Sequence, residues 1–158
     1  MSEWQLFANY LAAENAALGE LGTAALRLGD ALIANEPAAI DDAERMLESR
    51  RLLHASAFTT RTGMQKRGFG PLTLEQVCSY APPALRPRIG SDMHEMRTRT
   101  VALQLTVSNN KALILAGLER LARTVAVLQK AGTEQTGTYR RRGVVPPPDG
   151  SVIVSRRA

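Results

Sequence analysis

The side chains that could perform acid–base, metal or nucleophilic chemistry are few and scattered along the chain. There are two histidines, His54 and His94, and one cysteine. One histidine lies beside carboxylates, in "DMHEM", where Asp92, His94 and Glu95 lie within four residues. On a helix, positions i, i+2 and i+3 do not all share a face, so these three side chains cannot converge on one ion. We expect a solvated helix face there.

The cysteine offers no stronger site. A single cysteine excludes an internal disulfide and a cysteine-based metal cluster. Cys78 lies in "TLEQVCSYA", where its neighbours place it on the apolar side of a short helix, so an inert thiol is expected. The stretch "GFGPL" does not open a helix after a strand, as a phosphate-binding loop would. With aromatic residues at only 4%, the sequence predicts no enzyme, no metal and no cofactor.

The positive charge is concentrated at the C-terminal end. The chain of 158 residues has a net charge of +5, and five arginines and one aspartate follow from Tyr139 onward. The body before Tyr139 therefore carries only about +1, which does not resemble a nucleic-acid-binding surface. The tail's one aromatic, Tyr139, gives poor support for single-strand binding.

The N-terminal segment does not look like a targeting signal. It carries Glu3 and Glu14 and has no basic region before its apolar residues. No uncharged apolar run approaches the roughly 20 residues of a membrane span. A lone cysteine is compatible with a reducing compartment. We therefore expect a soluble, cytoplasmic protein without membrane insertion.

A long first helix is predicted from about Ser2 to Asn35. Ser2 is a plausible N-cap, and no proline interrupts the segment. A seven-residue repeat, broken only by Glu14, predicts lengthwise packing on other helices. Its positions are Trp4, Phe7, Leu11, Glu14, Leu18, Leu21, Ala25, Leu28 and Leu32.

A second helix is predicted to begin at Pro37 and to fade between Phe58 and Thr62. The short connection before Pro37 makes it an antiparallel hairpin with the first helix. After an irregular, glycine- and proline-rich stretch, Thr73 and Gln76 form a capping box that opens a short helix.

The last and longest helix is predicted to begin at about Pro87, or at Ser91 if Gly90 loosens its start, and to end at Ala131, with Gly132 as its C-cap. The fold class is therefore an all-α antiparallel bundle of long amphipathic helices with a flexible C-terminal tail. The domains are a helical body, 1–132, and a flexible basic tail, 133–158.

Two polar residues interrupt apolar stripes, and the sequence leaves their roles open. Glu14 and Asn110 could lie at the stripe's edge and reach solvent. Asn110 could instead fix helix register or cap a partner's backbone group. The neighbouring apolar segment, from Ile114 to Leu128, is wide enough either to fill a core or to offer one face to a partner's amphipathic helix.

The assembled pattern resembles the FlgN-type flagellar export chaperones over nearly the whole chain. The most specific parts are "NNKALILAGLERL", which is similar to the family's asparagine-containing segment with leucine spacing, and "TYRRRGVVPPPDGSVIVSRRA", which is similar to its tail. The sequence departs from the family at Arg140, Arg141 and Arg142, because a small residue often follows the tail tyrosine there.

The resemblance implies a cytosolic chaperone for the hook–filament junction proteins FlgK and FlgL. Such a chaperone binds the C-terminal amphipathic helix of its substrate, prevents premature assembly and delivers it to the export gate protein FlhA. The resemblance places gate docking at Tyr139 and substrate binding on the last helix, at Asn110, Ile114, Leu118, Leu121, Val125 and Leu128.

Two other hypotheses remain open from the sequence. One is a small helical nucleic-acid-associated protein that uses the arginine-rich tail. The other is a structural helical hairpin that dimerises through its heptads. Neither involves a small-molecule substrate.

Overall fold

A computed structural model describes the backbone of residues 2–142 and the side chains of residues 2–131. It contains four helices, which we number in chain order: α1 (Glu3–Ala34), α2 (Pro37–Phe69), α3 (Leu74–Ser79) and α4 (Arg86–Arg142). The described residues contain no strand. The predicted all-α bundle of long helices is confirmed.

Helix α1 begins and buries its stripe as predicted. The Ser2 hydroxyl accepts a hydrogen bond from the Gln5 backbone N–H at 3.2 Å, and the Gln5 side chain accepts one from the Ser2 N–H at 2.9 Å. This reciprocal capping box satisfies two backbone donors that would otherwise lack partners. The buried residues include most positions of the predicted repeat: Phe7, Leu11, Glu14, Leu18, Leu21, Ala25 and Leu28.

Helix α2 begins at Pro37 as predicted but extends beyond its predicted end. It continues to Phe69 and terminates at Gly70, whose φ of 69° suits a residue without a Cβ. The expectation that it fades between Phe58 and Thr62 is wrong. Its last turns bury Arg61 and Met64 against α1, and this tertiary packing outweighs the modest helix propensity of the local sequence.

The short helix α3 opens at the predicted capping box. The Thr73 hydroxyl accepts from the Gln76 N–H at 3.3 Å, and the Gln76 side chain accepts from the Thr73 N–H at 2.8 Å. Val77 is fully buried, while Leu74 and Cys78 are partly buried. All three face the core, as expected.

Helix α4 is longer than predicted at both ends. It begins at Arg86 and passes through Gly132 to Arg142, so the expected C-cap at Gly132 is wrong. A glycine inside a helix costs about 1 kcal/mol, which lowers stability without ending the helix, and the next proline is Pro146. The predicted domain boundary at residue 132 therefore falls inside α4, and residues 143–158 lie outside the described part.

The helices of the first 116 residues run up, down and up. Glu14 meets Arg61 and Glu20 meets Arg50, so α1 and α2 are antiparallel, which confirms the predicted hairpin. Contacts between α1 and α4 advance together along both helices, from Asn15 with Arg99 to Ala25 with Asn110, so these two run parallel.

The main core lies where α1 begins, α2 ends, and α3 and α4 meet them. Its fully buried members include Phe7, Leu11, Val77 and Ile89. Trp4 and Phe69 stack beside them with ring centroids 4.5 Å apart. A second, smaller cluster near the α1–α2 turn contains Leu28, Ala31 and Ala43.

The chain divides into two compact units, Met1–Ala116 and Gly117–Ala158. The first contains α1, α2, α3 and the N-terminal part of α4, and the described part of the second is the rest of α4. No helix among the described residues is both long and apolar enough to cross a membrane.

Candidate partner-binding surface

Two of the candidate residues for acid–base or metal chemistry, Asp92 and Glu95, instead contact α1. The Asn15 amide donates to Glu95 Oε2 at 2.6 Å and to Asp92 Oδ1 at 3.4 Å, while His94 is exposed. Asp92 and Glu95 thus share a face that His94 does not, as helical spacing predicted. Within the described residues, no group of three or more histidine, cysteine, aspartate or glutamate side chains could hold a metal ion.

Cys78 lies in an environment that disfavours its reactive form. Partial burial beside the core, reinforced by the negative charge of Glu75, raises the pKa of the Cys78 thiol to about 11. Because the thiolate is the nucleophile, such a cysteine is almost entirely unreactive near neutral pH. Its position supports the inert role expected from the sequence.

Glu14 forms a buried ion pair that the sequence did not reveal. Only 2% of this residue is exposed, so the hypothesis that it reaches solvent is wrong. Its carboxylate accepts from Arg61 Nε at 2.5 Å and from Arg61 Nη2 at 3.4 Å. Arg61 also donates to Gln65 Oε1 at 2.6 Å, and Gln65 donates to the Leu72 carbonyl at 2.7 Å. This network joins α1, α2 and the segment before α3.

Asn110 fixes the register of α4 against α1. Its side chain is buried and its Nδ2 donates to the Ala25 carbonyl at 2.8 Å. It faces Gly29, and a Cβ placed on Gly29 would lie 2.7 Å from Asn110 Oδ1. The interpretation of Asn110 as a register residue is therefore supported, within this chain. Its role in orienting a substrate helix stays a prediction.

Replacing Gly29 tests this contact. In Gly29→Ala the new methyl group forces Asn110 away from Ala25, and we expect a loss of about 1–3 kcal/mol in the free energy of unfolding. The matched control is Gly22→Ala in the same helix, where a Cβ meets nothing within 4 Å. That change should stabilise the fold by up to about 1 kcal/mol. Urea unfolding followed by circular dichroism measures both, and equal effects would contradict the role of Asn110.

The predicted substrate-binding residues other than Asn110 are exposed. Ile114, in the first unit, is 40% exposed. In the second unit, four residues spaced three and four apart lie on one side of α4, and we call them the α4 face: Leu118, Leu121, Val125 and Leu128. Their exposed fractions run from 43% at Val125 to 65% at Leu128. At about 100° per residue they form a continuous apolar stripe.

Nothing described in the second unit covers the α4 face. Within Gly117–Arg142, the described part of that unit, α4 is the only element of secondary structure. The polar side chains Glu119 and Arg123 pair with each other at 2.6 Å on the opposite side of the helix. An uncovered apolar stripe with this ion pair on the opposite side of the helix is typical of a surface that binds another protein.

The predicted gate-docking residue, Tyr139, lies near the end of the described backbone. Tyr139 and the arginines at 140–142 fall within the backbone bounds of α4, but their side chains lie outside the described residues. Docking of Tyr139 at an export gate accordingly stays a prediction.

Comparison with known proteins yields no match to a protein-family model, a curated protein or a solved structure. The resemblance to FlgN-type chaperones therefore stays a prediction carried by the chain's own motifs.

Proposed function

We propose that this chain is an export chaperone that captures an amphipathic helix of its client on the α4 face. The observation that carries the proposal is the exposure of four large apolar side chains on one side of α4, including Leu118 and Leu121, which are 58% and 60% exposed. Exposing such a stripe to water costs free energy, and covering it with the apolar side of a second helix recovers that cost.

The size of the surface suits reversible binding. Three helical turns present a narrow strip, much smaller than the interfaces of permanent complexes, which bury more than about 2,000 Å². A chaperone must release its client at the export machinery, so a small apolar contact is an advantage. The polar and buried contacts of Asn110 and Asn15 hold the other part of α4 against α1 independently of the client.

The specific form of the proposal follows the family resemblance. The clients are the hook–filament junction proteins FlgK and FlgL, whose C-terminal helices would otherwise self-assemble in the cytoplasm. Delivery is to the export gate protein FlhA through Tyr139. A tail joined to the client-binding helix raises the effective concentration of this second contact, so weak docking at the gate still directs the complex.

Co-elution of purified components tests the proposal. The full chain, mixed with FlgK or FlgL from the same cell, should elute from a sizing column as one complex. Deletion of residues 139–158 should leave that complex intact, because the α4 face ends before the deletion.

The rival function gives a different result. If the arginine-rich tail makes this a nucleic-acid-associated protein, the chain should bind duplex DNA or RNA with a steep salt dependence, and the deletion should abolish binding. Nucleic-acid binding without a junction-protein complex would refute the chaperone proposal.

A further inference from the structure

The two units of the chain differ sharply in charge. Residues 1–116 contain 12 basic and 12 acidic residues and are neutral overall. The whole net charge of +5 therefore belongs to Gly117–Ala158. The unit that exposes the α4 face is thus the unit that attracts anionic partners over distances of about one Debye length.

The charged residues close to the α4 face also give a net positive charge. Between Gly117 and Ala131 there are three basic residues, Arg120, Arg123 and Lys130, and one acid, Glu119. Glu119 is already engaged by Arg123. Helical geometry places Arg120 closer to the stripe than the other two basic residues, Arg123 and Lys130, which lie on the opposite side of the helix.

We propose that the α4 face takes an amphipathic helix whose apolar stripe is bordered by aspartate or glutamate. This inference rests on the proposed function and adds the charge of the client helix. The apolar side chains supply most of the affinity. Arg120, the basic residue nearest to the stripe, favours acidic over basic helices, and the positive field of the second unit speeds their encounter.

Other occupants fit these observations less well. A second copy of this chain would bring one basic helix against another, and like charges at the edge of an interface oppose association. A nucleic acid would match the charge but leave the four apolar side chains of the α4 face without a role. An acidic amphipathic helix is the occupant that uses both features.

Two designed peptides of about 20 residues test the proposal. Both carry the same leucine stripe, but one has glutamates and the other lysines along its borders. We expect the glutamate peptide to bind the full chain at least about tenfold more tightly at low salt, and the ratio to shrink as salt screens the charges. Equal affinities, or tighter binding of the lysine peptide, would overturn the inference.

Charge-reversed variants show which residue causes the preference for the glutamate peptide. Arg120→Glu should remove or invert the preference, whereas Lys130→Glu, which changes the net charge equally on the opposite side, should reduce it much less. Equal effects of the two variants would contradict the role of Arg120. A concentration-dependent dimer that Leu121→Asp dissociates, or displacement of the peptide by duplex DNA, would identify another occupant and overturn the proposal.

Failure of this charge inference can be distinguished from failure of the proposed chaperone function. If FlgK and FlgL form a complex with the chain but the two peptides bind equally, only the charge inference fails. If neither the junction proteins nor either peptide binds, both fail.

Discussion

Replacing Arg61 with leucine should destabilise the fold by about 3–5 kcal/mol, because it leaves the carboxylate of Glu14 buried without its partner. The side chains of this pair are only 6% and 3% exposed, so water cannot take over the role of the guanidinium. Gln65 also loses the donor to its side-chain oxygen. Since domains of this size are stable by roughly 5–15 kcal/mol, the loss is a large fraction of the total. Urea unfolding measures it directly.

Two further variants separate the buried charge from the loss of packing. The double replacement of Glu14 and Arg61 by leucine removes both charges and should recover much of the stability lost in Arg61→Leu. Arg51→Leu removes an arginine from the same helix, but its pair with Glu48 is exposed and should matter little. If Arg61→Leu and Arg51→Leu had similar midpoints of urea unfolding, the buried pair would not stabilise the fold as we expect.

Placing aspartates at Leu118 and Leu121 should weaken client binding by at least about 100-fold while the helical fold is retained. Both side chains are mostly exposed, so the folded protein loses little when they become polar. In the complex, however, two carboxylates would have to be desolvated against an apolar helix, at a cost of about 1–3 kcal/mol or more for each. Titration with a C-terminal peptide of FlgK or FlgL measures the change.

Val127→Asp is the matched control for this variant. Val127 is 66% exposed, comparable to Leu121, but helical geometry turns it away from the α4 face. Binding should survive this change. If the Leu118 and Leu121 double variant folded and bound the peptide normally, the α4 face would not be the client site, and a loss with Val127→Asp as large as with the double variant would point to a general effect of charge.

The sequence predicts the helices well where a periodic pattern selects a face. The repeat from Phe7 to Leu28 identified the buried side of α1, because a seven-residue apolar period keeps one side of a helix against its neighbours. Local capping chemistry fixed the starts of α1 and α3 for a similar reason: Ser2 and Thr73 bond to backbone groups only three residues away.

Contacts between residues that lie far apart in the sequence cannot be predicted from local patterns. Glu14 and Arg61 are 47 positions apart, and nothing local marks either as the partner of the other. Helices α2 and α4 also end later than the sequence predicts, because each passes through a glycine, at 63 and at 132, whose cost of about 1 kcal/mol does not end a helix. A charged residue inside an apolar repeat was the one available sign that a buried partner existed.

Calorimetric titration of the full chain with the C-terminal helix of a junction protein tests the central claim most directly. The control is a peptide of the same composition whose order is scrambled so that its apolar residues no longer share a face. We expect saturable one-to-one binding of the native peptide, with the negative heat-capacity change of apolar burial, and no binding of the scrambled one. Absence of binding by the native peptide, or equal binding of both, would contradict capture of an amphipathic helix by α4.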